Sequence, residues 1–309
     1  MTKKIAFLFP GQGAQYVGMG RDFFDAFNLV RETFEEANDL LGFDLTKIVL
    51  EGPQEKLTET RNSQAGIFVL STALLRLIQH KFKLNPTFCS GLSLGEYSAL
   101  YASDKLDFNN TLQLVSYRGQ YMNEACEARP GTMAVVLGLE ARAVSEVVRQ
   151  AQLPNDLWVA NYNCPGQVVI SGTLKGIEAG KQLALEKGAK RVLPLQVHGA
   201  FHSGLMKMAE EKFAPHVEAV HLKESPIELV MNVTGEAVKS ELKQQLIKQI
   251  TNSVRWEQGV RHMLAKGVDL FIEIGCGKTL SGFNKRIDAN ATTISVEKVE
   301  ELDLLEKVL

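Results

Sequence analysis

The stretch that decides the fold is Gly91-Leu92-Ser93-Leu94-Gly95, a Gly-x-Ser-x-Gly pentapeptide. Residues 87–90 before it are typical of a strand, and residues 96–101 after it are typical of a helix. A serine on such a tight turn stands out above the sheet, and its neighbours must be glycine because larger side chains would clash. The backbone N–H of Leu94, at the helix start, can face a developing oxyanion. The pattern predicts a serine nucleophile in an α/β fold; the alternative is an ordinary surface turn.

Composition sets broad limits on the class of protein. The chain has 309 residues, of which 45% are hydrophobic, so it can bury a large core. Its net charge of −2 gives no indication of a nucleic-acid partner. The apolar run 5–9 ends at Pro10, which is too short for a signal peptide or a membrane span. The four cysteines are far apart and form no metal-binding spacing, so we expect thiols in a reducing cytoplasm and no metal site.

Strands alternate with helices along much of the chain. The buried run 5–9 predicts the first strand, and apolar residues spaced by three and four predict one amphipathic helix over 23–41. A second helix is expected over about 64–82, ahead of the strand that leads into Ser93. This alternation predicts a mostly parallel sheet with helices on both faces.

The segment from about 131 to 195 has a different order of elements, β-α-β-β-α-β. That order is typical of a ferredoxin-like module. We therefore predict a large α/β domain formed by residues 1–128 and 198–309, with a small subdomain, 129–197, inserted into it.

A serine nucleophile needs a base. His198 and His202 are the best candidates because both lie in a glycine-containing junction between the predicted domains, and the residues alone do not choose between them. No carboxylate stands out as a third member of a triad: Asp104, Asp107 and Asp156 all lie in loop-like contexts. A backbone or amide carbonyl can also fix the histidine tautomer.

Three further segments could bear on the chemistry. The loop 10–15 after the first strand either supplies a second oxyanion N–H or is a plain turn. Arg118 interrupts an apolar helical pattern, so it either extends to the surface or binds a carboxylate. Residues 275–279 end like a phosphate-binding loop but lack the upstream glycine, which argues against nucleoside triphosphate binding.

Taken together, these motifs resemble the malonyl-CoA:acyl carrier protein transacylases of fatty acid synthesis. The resemblance runs the length of the chain and rests on the segments 10–15, 91–96, 118–119, 163–172, 201–203 and 273–278. It implies a hydrolase-like three-layer α/β domain with a parallel sheet and an inserted ferredoxin-like α+β subdomain. It also implies ping-pong transfer of a malonyl group from malonyl-CoA to the phosphopantetheine thiol of acyl carrier protein, without metal or cofactor.

The resemblance also assigns roles to residues. Ser93 matches the acylated nucleophile, His202 the base and Arg118 the partner of the malonyl carboxylate. The remaining matches are Gln12 and Leu94 for the oxyanion hole, Gln249 for the carbonyl that holds the histidine, and Phe201 and Asn163 for substrate binding. In the superfamily the residue before the histidine correlates with acyl size, and Phe201 favours malonyl. We expect a monomer with no nucleic-acid or membrane partner.

The chain departs from the family pattern at three places. It has Ser253 where the family often has proline, Leu92 where many members have histidine, and Cys276 where many have proline. Three other functions compete with malonyl transfer. They are a polyketide acyltransferase with another extender unit, a hydrolase or thioesterase, and a non-catalytic binding scaffold.

Overall fold

The computed structural model describes residues 3–197 and 199–309. His198 lies outside these residues. The chain divides into two units: one comprises the described residues of Met1–Gly119, Val220–Val230 and Arg261–Leu309, and the other comprises those of Gln120–Ala219 and Met231–Val260. The predicted division into 1–128 with 198–309 and an inserted 129–197 is drawn from the order of elements, and it stays a prediction.

Most helices and strands lie within one of the two units. Those of the first unit are β1 (Ile5–Phe9), α1 (Arg21–Ala26), α2 (Asn28–Leu41), α3 (Leu45–Glu51), α4 (Gln54–Thr58), α5 (Thr60–Phe82), β2 (Phe88–Gly91), α6 (Gly95–Ala102), β9 (Leu270–Ile274), α13 (Thr279–Ile287), β10 (Thr293–Val296) and α14 (Glu301–Val308). Those of the second are β3 (Thr132–Leu137), α8 (Ala141–Gln150), β4 (Leu157–Cys164), β5 (Gln167–Gly172), α9 (Leu174–Glu186), β6 (Arg191–Pro194), the 3₁₀ helix Gly204–Met206, α10 (Lys207–Ala219), β8 (Glu236–Ala237) and α11 (Leu242–Lys248). Three elements cross a boundary of the division: α7 (Phe108–Ala128), β7 (Glu228–Met231) and α12 (Trp256–Ala265).

A parallel sheet forms the centre of the first unit. Five of its strands lie side by side in the order β10, β9, β1, β2, β7, and each neighbouring pair of these is parallel. Every residue of β1, β2 and β9 is buried, as expected for parallel strands covered on both faces. Because the carboxyl ends of parallel strands meet at one edge, the loops after β1, β2 and β9 come together there.

An antiparallel sheet forms the core of the second unit. Its strands lie in the order β4, β5, β3, β6, and the elements follow one another as β-α-β-β-α-β. Apolar side chains of α8 and α9 pack with those of the strands in one cluster that includes Val136, Val144, Ile170 and Ala184. The predicted fold class, an α/β protein with a parallel sheet and a smaller ferredoxin-like part, is confirmed.

One predicted helix is wrong in its continuity. The stretch 23–41 forms two helices, α1 and α2, because Phe27 between them has an extended backbone with φ −128° and ψ 123°. The apolar periodicity continues through the break, so it could not reveal it. Among the described residues, no helix combines the length and the apolar character needed to cross a membrane.

Candidate active site

Ser93 stands on the turn between β2 and α6. Its φ of 53° is in the left-handed region, which is costly for a residue that is not glycine. The flanking glycines leave no room for a side chain. A Cβ on Gly91 would lie 2.0 Å from the carbonyl of Gly95, and one on Gly95 would lie 2.2 Å from the carbonyl oxygen of Phe9. This is the strained strand-to-helix turn that the pentapeptide predicts.

Arg118 is a charged group in direct contact with Ser93. Its side chain is fully buried, and its Nη2 donates to the Ser93 Oγ at 3.2 Å. Its Nη1 donates to the Oε1 of Gln64 at 2.7 Å, and its guanidinium lies 5.4 Å from the centre of the Tyr97 ring. The alternative of an arginine that extends to the surface is therefore wrong.

Burial dominates the electrostatics of this pocket. It lowers the pKa of Arg118, while Tyr97 and Glu96 act in the opposite direction. The same burial raises the pKa of Tyr97, against the opposing effect of Arg118. Guanidinium stays protonated in proteins, so the site places a buried positive charge beside the serine hydroxyl. Such a charge favours a ligand with a carboxylate.

Gln64 connects Arg118 to the loop after β1. Its Nε2 donates to the Oε1 of Gln12 at 3.3 Å while its own Oε1 accepts from Arg118. The loop lies against the serine turn, since a Cβ on Gly11 would come within 2.3 Å of the Leu92 carbonyl oxygen. Sequence analysis missed Gln64. The available signal was a polar glutamine directly ahead of an apolar helical run; the structure shows it fully buried within the long helix α5.

His202 is placed by backbone carbonyls of the second unit. It is 3% exposed, its φ is 56°, and its Nδ1 lies 2.8 Å from the Gln249 carbonyl oxygen and 3.2 Å from that of Asn252. A carbonyl can only accept a hydrogen bond, so the proton resides on Nδ1 and Nε2 keeps its lone pair. That is the tautomer a general base requires. The Asn252 carbonyl is a second acceptor that sequence analysis did not name.

The segment that carries these carbonyls is fixed by its own hydrogen bonds. Gln249 follows the end of α11, and the Nδ2 of Asn252 donates to the Lys248 carbonyl at 2.8 Å. Ser253, the residue that replaces the family's proline, donates through its Oγ to the carbonyl of Val159 on β4 at 2.5 Å. This hydrogen bond anchors the segment without proline.

The other predicted residues divide into two groups. Phe201 and Asn163 are both buried in the second unit, and the Oδ1 of Asn163 has no hydrogen-bond partner within the described part of the chain. Asp107 and Asp156 instead have structural partners: Asp107 accepts from the N–H of Asn110 at the start of α7, and Asp156 accepts from the Thr173 hydroxyl. The hydrogen bonds of His202 Nδ1 are made with the carbonyls of Gln249 and Asn252.

Comparison with known proteins decides the family. The model of the acyl transferase domain family matches residues 6–295. The malonyl CoA-acyl carrier protein transacylase of Bacillus subtilis is 42% identical over 307 residues, which cover 97% of this chain and 96% of that one. The chain belongs to the malonyl CoA-acyl carrier protein transacylase family. It is therefore an acyltransferase.

Solved structures of the family agree with this assignment. The transacylase from Streptococcus pneumoniae superimposes with a TM-score of 0.94 at 41% identity, covering 99% of this chain and 100% of that one. A malonyl-transacylase solved in complex with its type II polyketide acyl-carrier protein gives a TM-score of 0.95 at 35% identity, with coverage of 99% and 100%. The resemblance inferred from the sequence motifs is confirmed.

Proposed function

We propose that the chain transfers the malonyl group of malonyl-CoA to the phosphopantetheine thiol of acyl carrier protein, through an ester on Ser93. The choice of malonyl as the acyl group rests on the buried Arg118 guanidinium, 3.2 Å from the Ser93 Oγ. In a malonyl ester the free carboxylate lies one methylene beyond the ester carbon. The Ser93 Oγ becomes the ester oxygen, so the guanidinium that contacts it is also close enough to pair with that carboxylate.

The reaction has two matching halves. His202 Nε2 takes the Ser93 proton while Oγ attacks the malonyl thioester carbon, and the N–H groups of Gln12 and Leu94 stabilise the negative oxygen. The C–S bond then breaks, and the CoA sulfur leaves with the proton from His202. In the second half the carrier-protein thiol gives its proton to His202 and attacks the ester, and Ser93 regains its proton as the thioester forms.

The backbone carbonyls of Gln249 and Asn252 have the role that a carboxylate has in a hydrolase triad. They accept from Nδ1 and orient the ring, but as neutral groups they stabilise the imidazolium less than a carboxylate would. A weaker base suits transfer to a thiol, because a thiol loses its proton more readily than water. This difference favours transfer over the hydrolase alternative.

Intact mass after mixing with malonyl-CoA tests the proposal. We expect a covalent adduct of one malonyl group, its absence in the Ser93→Ala variant, and its discharge when the phosphopantetheinylated carrier protein is added. Acetyl-CoA and methylmalonyl-CoA are the matched thioesters. Comparing their adducts with that of malonyl-CoA distinguishes malonyl transfer from a polyketide acyltransferase with another extender unit. Release of free malonate in place of malonyl carrier protein would establish a hydrolase and contradict the proposal.

We further propose a cytoplasmic monomer. Support for the location comes from the buried cysteines Cys89, Cys126, Cys164 and Cys276, which suit a reducing compartment, and from the CoA thioester substrate. Light scattering on the purified chain tests the oligomeric state, and a mass of two or more chains would contradict it.

A further inference from the structure

The loop formed by residues 10–16, here called the β1 loop, directs backbone hydrogen bonds to its own residues. The hydrogen bonds of its N–H groups at Ala14 and Gly13 are internal, to the Gly11 carbonyl at 3.4 Å and to the side chain of Gln15 at 2.7 Å. The chain just beyond it is anchored elsewhere, for example by the Gly18 N–H on the Val49 carbonyl at 2.9 Å. The position of the Gln12 backbone therefore depends on contacts of the loop with its neighbours.

One carboxylate ties the end of this loop to the turn after β9. The Tyr16 hydroxyl donates to the Glu297 Oε1 at 2.9 Å, and the same oxygen accepts from the backbone N–H of Gly277 at 2.9 Å. The turn also packs on the beginning of the loop, because a Cβ on Gly275 would lie 2.7 Å from the Pro10 Cγ. Hydrogen bonds to a carboxylate are shorter and stronger than those between neutral groups.

Glu297 is fixed by hydrogen bonds other than the one with Tyr16. Its backbone N–H and that of Lys298 donate to the Glu301 Oε2 at 2.7 and 2.8 Å. Glu301 in turn pairs with Lys278, which lies on the turn after β9. Burial, together with the hydrogen bond to Glu297, raises the pKa of Tyr16, so its phenol stays a donor.

We propose that Tyr16 and Glu297 are positioning residues, which hold the β1 loop so that the Gln12 N–H faces the oxyanion of the reaction. Both act through the loop, since Tyr16 lies at its end and Glu297 accepts from the Tyr16 hydroxyl. The inference rests on the proposed function, since it takes Gln12 as an oxyanion donor. A donor displaced by a fraction of an ångström loses part of its effect, whereas a missing donor costs about 10²–10³ in rate.

The test measures the rate constant of Ser93 acylation at saturating malonyl-CoA, by rapid quench and intact mass. Tyr16→Phe removes the hydroxyl, and we expect the rate constant to fall ~10-fold while KM is unchanged. Glu297→Gln keeps an oxygen that can accept from both donors, and should stay within ~3-fold of the unmodified chain. Glu297→Ala removes the acceptor, and should match Tyr16→Phe; the double variant should lose no more than either.

Tyr101→Phe is the matched control. Its hydroxyl accepts from the Arg76 Nε at 3.1 Å, so the variant also loses one tyrosine hydrogen bond in the same unit. We expect a small fall in Tm and an unchanged acylation rate. Binding of malonyl-CoA, measured in a Ser93→Ala background, should be the same with Tyr16 and with Phe at that position.

The results separate the two proposals. Acylation of Tyr16→Phe at the rate of the unmodified chain would overturn the positioning role while leaving the malonyl-serine intermediate intact. A rise in KM that matches the fall in rate, or an equal fall in Tyr101→Phe, would also overturn it, because either indicates general loosening of the fold. Failure of the unmodified chain to form any adduct would instead contradict the proposed function.

Discussion

Ser93 and His202 share an unusual backbone conformation, but their side chains are placed by different means. Both have φ in the left-handed region, at 53° and 56°, a conformation that costs of order 1–3 kcal/mol in a residue other than glycine. Around Ser93 the constraint is steric and local, since glycines at 91 and 95 let two backbone segments approach within contact distance. At His202 the hydrogen bonds act on the side chain, through carbonyls 47 and 50 residues further along the chain.

The comparison shows which kind of constraint a sequence reveals. A steric turn needs particular residues at fixed spacing, so the nucleophile could be predicted from five residues. A carbonyl is present at every position, so no residue type marks Gln249 or Asn252 as the partners of a histidine. The variants below test the two regions separately.

The largest expected effects come from removing either reactive side chain. Ser93→Ala should form no adduct and lose at least ~10³-fold in transfer rate, and His202→Ala should lose a similar factor because the hydroxyl keeps its proton. Single-turnover acylation by malonyl-CoA measures both. His198→Ala is the matched variant and should retain most activity; a loss there with His202→Ala still active would reverse the assignment of the base.

Arg118→Ala tests whether the surroundings of Ser93 select the acyl group. Removing one partner of a buried ion pair costs about 3–5 kcal/mol, so malonyl transfer should fall by roughly two to four powers of ten. An acetyl group has no carboxylate to lose, so acetylation of Ser93 should fall far less. The ratio of malonyl to acetyl adduct, from intact mass with equal concentrations of both thioesters, measures the change. An equal fall in both would make Arg118 a structural residue.

Glycine substitutions test the steric origin of the serine turn. Gly95→Ala places a methyl 2.2 Å from the Phe9 carbonyl oxygen, and we expect a loss of about 1–3 kcal/mol in the free energy of unfolding. Gly282→Ala is the control, since its Cβ meets nothing within 4 Å inside α13, and it should gain about 0.5–1 kcal/mol from helix propensity. Urea unfolding of both variants gives the comparison, and equal effects would rule out a steric cause.

The order of elements could be predicted in both units because burial leaves a periodic pattern. The continuous apolar run of β1 and the alternation of strands with helices indicated a covered parallel sheet, and the β-α-β-β-α-β order indicated the antiparallel one. The break at Phe27 could not be predicted, because the apolar spacing is continuous across it. Likewise, Arg118 left two interpretations open until its burial beside Ser93 chose between them.

The smallest effects should come from the segment that orients His202, and they distinguish a backbone role from a side-chain role. Gln249→Ala keeps the carbonyl that accepts from Nδ1, so acylation should stay within ~3-fold of the unmodified chain, a change of less than about 0.7 kcal/mol.

Ser253→Ala removes the hydrogen bond to the Val159 carbonyl that anchors the segment, at a cost of about 1 kcal/mol in stability. Because the anchor holds the carbonyls in place, we expect its loss to lower the acylation rate by ~3–5-fold, more than Gln249→Ala does. Single-turnover acylation and urea unfolding of both variants provide the measurements. A larger rate loss in Gln249→Ala than in Ser253→Ala would mean that the glutamine side chain, and not the backbone at this position, orients the base.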